Sequence, residues 1–404
     1  MINRIIKFVF ALPIIVVLVV TVILNVRLHT VYVNPDKDLI LELRNLKRGL
    51  DNHADAEMQK LYPEGYLFYN ALYGLAWCNY LTYFSKNDST GEAHREIQRA
   101  FNNVYSESGH TVFYRDLSIP YGAFYSGWSN YLLGKKLSIE DAADRRPEDV
   151  VLFNQQCDTI AKVLSTKTFP ASYPGKAWPA DAVLCISSLA LHDRLFEAKY
   201  EDVIRLWVIS VKKFLDKNGL IPHEVVLASG KVLQEARGSS QSLMMAFLDE
   251  IDDEFAHEQF VRYKEKFLDS RLGLIGIREY PSGHYGLGDI DSGPVVLQMG
   301  GSATIAGLYS ISYFGDNAAG KLYREIEALG LAYHNDDQKN YLFGTLPIAD
   351  AFIAWSHSAS SMLNTDDSNF MTFHLYGVLI CSVCIITLWL FWGKRNKKRM
   401  HLPW

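Results

Sequence analysis

The sequence predicts an all-α protein, an (α/α)6 barrel of six helical hairpins with one small β-hairpin insertion and a transmembrane helix at each end. Three observations predict it. The 404-residue chain is bracketed by two runs, Phe8–Val26 and Phe373–Trp392, that contain no Asp, Glu, Lys or Arg. Between them, helical stretches that are apolar all round alternate six times with amphipathic ones. One segment alone, Gly219–Arg237, breaks that alternation in favour of strands.

Each terminal run is close to the ~20 residues that span a hydrocarbon core. Residues 1–7 precede the first run (8–26), and the second (373–392) is followed by a tail, 393–404, carrying Lys394, Arg395, Lys397, Lys398 and Arg399. Positive charge beside a membrane helix stays cytoplasmic. Arg4 and Lys7 before the first run are balanced by Arg27 and Lys37 after it, so the tail decides the orientation. Two spans then put both termini in the cytoplasm and the central domain, 27–363, in the periplasm or another extracytoplasmic space, with 364–372 as linker. A cleaved signal peptide is the rival reading of the first run, but that run is longer than a signal core and no small-x-small site follows Val26.

Within the central domain, Tyr66–Tyr80, Ser118–Leu133, Asp181–Arg194, Ser239–Glu250, Ser292–Tyr313 and Ile348–Met362 are apolar on every side and rich in small residues. Such helices are buried all round. Leu39–Asn52, Ala93–Val104, Pro147–Leu164, Tyr200–Lys217, Glu254–Ser270 and Asn317–Gly330 carry charge on one face and form the outer jacket. In Gly219–Arg237, the runs Ile221–Val226 and Lys231–Leu233 flank Ala228-Ser229-Gly230, a β-hairpin pattern.

Composition narrows function. Net charge is −5, and no basic face appears outside the tail, which excludes nucleic acid as the expected partner. The tail itself sets topology and touches anionic lipid. The 23 Tyr and 21 Phe suit a carbohydrate or apolar ligand as well as a large core. Of five cysteines, Cys381 and Cys384 lie in the second span; Cys78, Cys157 and Cys185 cannot all pair, and their spacing matches no metal motif. His110, His284 and His357 are isolated candidates, and no zinc site is expected from them.

In such a barrel the segments leading into the inner helices converge on one mouth, where free helix N–H groups favour anions. Asp289-Ile290-Asp291-Ser292-Gly293-Pro294 is the sharpest of them, since capping explains one carboxylate but not two. Trp178-Pro179-Ala180-Asp181 leads to Cys185 one turn on, so acid and thiol share a face, either as lumen wall or as cap and packing thiol. Glu235 and Arg237, facing His223 and Glu224 across the hairpin, form a charged cluster at the mouth or a solvated hairpin surface. Asp116, Asp181, Cys185, Asp289 and Asp291 are therefore the candidate catalytic residues. Tyr66, Trp178, Glu235, Arg237 and Tyr285 are the candidate substrate-binding residues.

At these residues, and over roughly Tyr62 to Leu329, the chain resembles the linalool dehydratase/isomerase family of (α/α)6-barrel enzymes. The similarity rests on the Tyr-Gly pairs Tyr73-Gly74 and Tyr121-Gly122, on Trp178–Leu195 with Cys185 and Asp193-Arg194-Leu195, and on Asp289-Ile290-Asp291-Ser292-Gly293. The resemblance implies cofactor-free addition or removal of water at an alcohol, a hydro-lyase or isomerase reaction. Cys185 matches one family active-site cysteine; the other falls near Lys176, and the family histidine aligns with Asp116. These departures imply a shared scaffold with altered chemistry, acting on an apolar alcohol or lipid rather than performing the linalool reaction itself. One of Asp289 and Asp291, kept protonated by its neighbour, would protonate a leaving oxygen, with Asp116 or Asp181 relaying a proton and Cys185 assisting.

Two alternatives remain at this stage. Two carboxylates over an aromatic cleft suit glycoside hydrolysis, with Trp178, Tyr285 and Trp355 as sugar platforms. A non-catalytic, membrane-tethered binding module would instead leave the mouth carboxylates as solvated caps. Assembly into a homo-oligomer is permitted by the sequence and not required by it.

Overall fold

Burial of six all-round apolar helices organises the chain. The computed structural model describes residues 2–30, 33–84, 89–289, 292–359 and 369–393. Its helices are α1 (Ile2–Thr30), α2 (Pro35–Asp51), α3 (Ala54–Leu61), α4 (Gly65–Tyr83), α5 (Thr90–Val104), α6 (Glu107–His110), α7 (Gly122–Ser138), α8 (Pro147–Leu164), α9 (Pro179–Leu195), α10 (Glu201–Val211), α11 (Gly238–Asp249), α12 (Asp253–Phe267), α13 (Gly301–Tyr313), α14 (Ala318–Leu329), α15 (Pro347–His357) and α16 (Met371–Gly393). The fold is thus predominantly helical. Its strands form four two-stranded antiparallel hairpins: β1 (Glu224–Val225) with β2 (Val232–Gln234), β3 (Leu268–Arg271) with β4 (Leu274–Ile277), β5 (Val295–Val296) with β6 (Met299–Gly300), and β7 (Tyr333–His334) with β8 (Lys339–Asn340).

Helices α4, α7, α9, α11, α13 and α15 each pack on the next in that order, and α15 packs back on α4. The amphipathic helices lie outside: α5 on α4, α8 on α7 and α9, α10 on α9, α12 on α11, α14 on α13, and α2 on α15 and α4. Glycine permits the closest approaches. A Cβ at Gly74 of α4 would lie 2.9 Å from that of Ala100 on α5 and 2.8 Å from Leu132 Cδ1 on α7. The C-terminal turns and flanks of α4, α7, α9, α11 and α13 border one cavity of about 380 Å3, so these five helices end together and begin together at the opposite end.

Local chemistry sets the boundaries. Proline opens α2, α8, α9 and α15, where its missing N–H is no loss. Asn34 caps α2 by accepting from the Lys37 amide, and Asp252 caps α12 from the Phe255 amide at 2.8 Å. Two expected helices are shorter than their apolar patterns. Residues 292–300, expected to open the helix to Tyr313, instead hold the β5–β6 hairpin, because Pro294 cannot donate and the turn residues Leu297 and Gln298 adopt φ of 52° and 73°. The outer helix expected to reach Ser270 stops at Phe267, and the chain turns at Leu272-Gly273 into β4. The predicted hairpin in Gly219–Arg237 is β1–β2, with Glu224 opposite Gln234.

Val9–Thr30 and Met371–Phe391 are long and apolar enough to cross a membrane. They pack on each other antiparallel: His374 Nδ1 lies 2.7 Å from Asn25 Oδ1, its ring stacks on His29 at 4.3 Å, and Pro13 and Val17 approach Val383 and Thr387 at the other end. Arg27 then joins this pair to the domain. Its guanidinium donates to the carbonyls of Glu327, Ala328 and Ala332 at the C-terminal end of α14, at 3.2, 3.1 and 2.7 Å. A cation there satisfies carbonyls left unpaired by the helix and complements its dipole. The basic tail lies outside the described residues.

Candidate functional site

The rim where the ring helices begin carries the polar groups. Before α9 the chain is extended at Trp178, whose amide donates to Ser172 Oγ at 3.2 Å, and Pro179 starts the helix. That places Asp181 in the first turn, buried and hydrogen-bonded through one oxygen to Ser172, while its Oδ2 has no partner. Burial, with a smaller contribution from the charge of Glu64, pushes the Asp181 carboxyl up to about 7 against the pull of Ser172. Glu64 stands just before α4 and accepts from the Tyr173 hydroxyl. Beside these acids runs a half-buried aromatic floor: Phe68 and Phe124 have ring centroids 5.1 Å apart, Phe124 and Tyr173 6.3 Å, and Tyr173 and Trp178 5.5 Å. The Tyr121-Gly122 pair serves the same rim. Gly122 has φ of 85° and a Cβ there would meet the Ser172 carbonyl at 2.0 Å, so only glycine lets α7 start against the loop that holds Asp181.

A second cluster surrounds the start of α11. Buried Arg237 donates from Nε to Glu279 Oε1 at 2.7 Å and from Nη1 to Asp289 Oδ2 at 2.5 Å, and Ser239 donates to the same Glu279 oxygen at 2.8 Å. The Arg237 hydrogen bond holds the Asp289 carboxyl down to about 2 despite partial burial. Burial keeps Glu279 above the ordinary carboxyl range, and one of its oxygens has no partner. His223 places Nδ1 2.9 Å from Ser240 Oγ; burial and then Arg237 depress it to about 4, so it is a neutral imidazole at pH 7. Strand β1 carries this cluster to the first one, because the Val225 amide donates to the Ala177 carbonyl and Lys176 pairs with Glu224 at 2.7 Å.

The structure thus brings together Asp181 and Trp178, and separately Arg237 and Asp289. It places Asp116 in an exposed loop, and Asp291 lies outside the described residues. Cys185 is one turn below Asp181 and close enough to feel its charge, but its thiol sits in the α7–α9 interface, 3.4 Å from the Ala123 carbonyl. Burial raises it well above the usual thiol range. Tyr66 turns outward to Ser106, Glu235 pairs with Lys217 at 2.7 Å, and Tyr285 is exposed on the loop after β4. The residues that sequence reading did not select are Glu64, Tyr173 and Glu279. Glu64 was visible as the lone acid leading into α4, whereas nothing around Tyr173 or Glu279 distinguishes them from loop residues.

Two further features bear on the chemistry. The ring's axis is filled: Trp128 meets Phe247 edge-on at 5.9 Å, Phe247 meets Trp355 at 6.3 Å, and Trp355 stacks on Tyr309 at 4.0 Å. Trp355 is 1% exposed, so it is no platform for a sugar. Behind α15, Glu42, Glu327 and His357 place one ligand atom each within 4.8 Å of one another, a grouping able to hold a cation. The Lys339 ammonium already stands there, 2.7 Å from Glu327, 3.2 Å from Asp38 and 3.6 Å from Glu42. It supplies the positive charge a metal would bring, so these residues do not fit a metal centre. The Tyr341 hydroxyl donates within the same network, 2.5 Å from both Glu42 and Glu327. No family model matches the chain, and no curated protein matches it.

Proposed function

We propose that the protein is a membrane-anchored enzyme with an (α/α)6-barrel domain facing away from the cytoplasm, and that it catalyses cofactor-free acid/base elimination, addition or migration of water on an apolar alcohol or lipid. The cyclic packing of six apolar helices inside six amphipathic ones supports the barrel. The observation that carries the chemistry is Asp181, a buried carboxyl with a free oxygen and an affinity for its proton matched to neutral pH, beside an aromatic floor and the carboxylate of Glu64.

A general acid works best when its pKa lies near the working pH. Asp181 meets that condition through burial and through Glu64, the arrangement by which paired carboxyls divide acid and base roles. In this reading the neutral Asp181 protonates a departing hydroxyl, and Glu64, oriented by Tyr173, takes a proton from the neighbouring carbon. Phe68, Phe124, Tyr173 and Trp178 hold the hydrocarbon part. Asp289, ionised against Arg237, is not the proton donor; it and Glu279 position the Arg237 side of the rim. Cys185 is a packing residue.

The test needs no knowledge of the product. The full chain in detergent is incubated with a panel of allylic and tertiary alcohols in H2 18O. Reversible loss of water exchanges the hydroxyl oxygen, so 18O enters the substrate pool. Asp181→Asn is expected to lower that rate by roughly 100-fold or more, the scale of general acid catalysis. Exchange that persists unchanged in Asp181→Asn defeats the assignment. A second reading, a non-catalytic tethered module, is favoured by the aromatic filling of the axis, and predicts no exchange with any alcohol by the folded protein.

A further inference from the structure

The ring helices also end around a shared space, and the chemistry proposed for Asp181 does not reach it. This cavity of about 380 Å3 lies at the end of the ring opposite Asp181 and has the size of a small-molecule site. Its wall carries two charges with no opposite partner among the described residues. Lys135, in the last turn of α7, enters no ion pair, and Asp249, the last residue of α11, accepts only from the Tyr313 hydroxyl at 3.0 Å. Lys135 comes from α7 and Asp249 from α11, two places apart around the ring.

The other charges there are already satisfied. Arg194 pairs with Glu250 at 2.9 Å, and Glu250 also accepts from Tyr131 at 2.8 Å. A simpler role for Lys135 is to complement the C-terminal dipole of its own helix. That role does not extend to Asp249. A carboxylate at a helix C-terminus, among four other C-termini, sits where negative charge is disfavoured, and a cation from outside relieves it.

We infer that this cavity binds a small zwitterion. Its ammonium end sits between Asp249, Tyr313 and the helix-end carbonyls; its acid end sits at Lys135, and Leu191 covers the carbon chain between. A free amino acid and the phosphoethanolamine head of a lipid share this chemistry.

Isothermal titration of the full chain in detergent tests it, with 4-aminobutanoate and phosphoethanolamine as probes and butylamine and butanoate as single-charge controls. Saturable binding of a zwitterion is expected, at least about tenfold tighter than either control. Tighter binding of phosphoethanolamine assigns the lipid head, and tighter binding of 4-aminobutanoate the free acid. Lys135→Met and Asp249→Asn should each weaken it about tenfold, while Asp181→Asn leaves it unchanged. Thermal unfolding of each variant verifies folding, and if one variant fails to fold, the other together with the two controls decides. The inference is overturned if the folded wild type binds neither zwitterion, if butylamine binds as tightly as 4-aminobutanoate, or if binding survives both substitutions.

Discussion

At the scale of the residue, burial decides more than residue type. Asp181, expected as one of five acids and thiols, is distinguished from Asp116 and Asp289 by its surroundings: one is in water, one is clamped by arginine, and one is enclosed with an oxygen unpaired. This has a pH signature. The unfolded chain ionises Asp181 near the ordinary value of about 4, whereas the fold keeps it neutral up to about 7. The associated stability is therefore fully present below about pH 4, declines as pH rises to about 7, and stays lost above. Relative to Asp181→Asn, the wild type should lose up to about 4 kcal/mol across that window. Urea unfolding of both proteins at pH 4, 6 and 8 measures the difference, and a flat difference contradicts the assignment. The thiols give a second prediction. Burial pushes Cys78 and Cys157 up to about 12 and raises Cys185 well above the usual thiol range. Because the thiolate is the reacting species, maleimide at pH 7.5 should leave all three unmodified in the native protein and modify them in denaturant, as read by mass spectrometry. Rapid native labelling of Cys185 would restore it as a reactive group.

At the scale of the element, period and punctuation made most helices legible. The all-round apolar stretches became α4, α7, α9, α11 and α15 because their burial is on every side, and the charged faces of α2, α5, α8 and α12 look outward for the complementary reason. The misread boundaries fall where a short strand continues an apolar pattern. Leu268-Asp269-Ser270, expected as the end of the outer helix, instead pairs with Ile275-Gly276-Ile277 once the chain reverses at Leu272-Gly273. The junction between α1 and the domain was invisible, because Arg27 acts on carbonyls some three hundred positions away. Arg27→Ala removes three charge-assisted hydrogen bonds and should destabilise the docking of α1 by roughly 1–3 kcal/mol. Hydrogen exchange should then quicken at residues 327–334 while α7 and α9 keep their protection; equal protection throughout would mean that the apolar contacts of Leu28 with Ala328 and Phe373 hold the junction alone.

At the scale of the whole molecule, a buried charge network ties the two ends of the domain together. Asp38 and Glu42 come from α2, Glu327 from α14, Lys339 from β8 and His357 from α15. Burial opposes charge on Glu42, but His357, Lys339 and Tyr341 together hold it below the ordinary carboxyl range; Glu327, less well compensated, is held above it. Lys339→Met would leave these carboxyls without their cation and should cost about 3–5 kcal/mol, measured as a loss of denaturant midpoint. A loss under about 1 kcal/mol would mean that the acids are already neutral. The amino-acid order by itself determined the helical class, the two apolar terminal helices, the inner and outer faces and the β1–β2 hairpin, because each depends on side chains within a few turns of one another. Only the tertiary structure decided that Glu64 and Tyr173 stand beside Asp181, that Cys185 packs between helices, that Lys339 fills the place of a cation, and that Lys135 and Asp249 share a cavity. Those pairings join residues far apart in the chain, and the proton affinities that follow from them depend on enclosure, which no local pattern encodes.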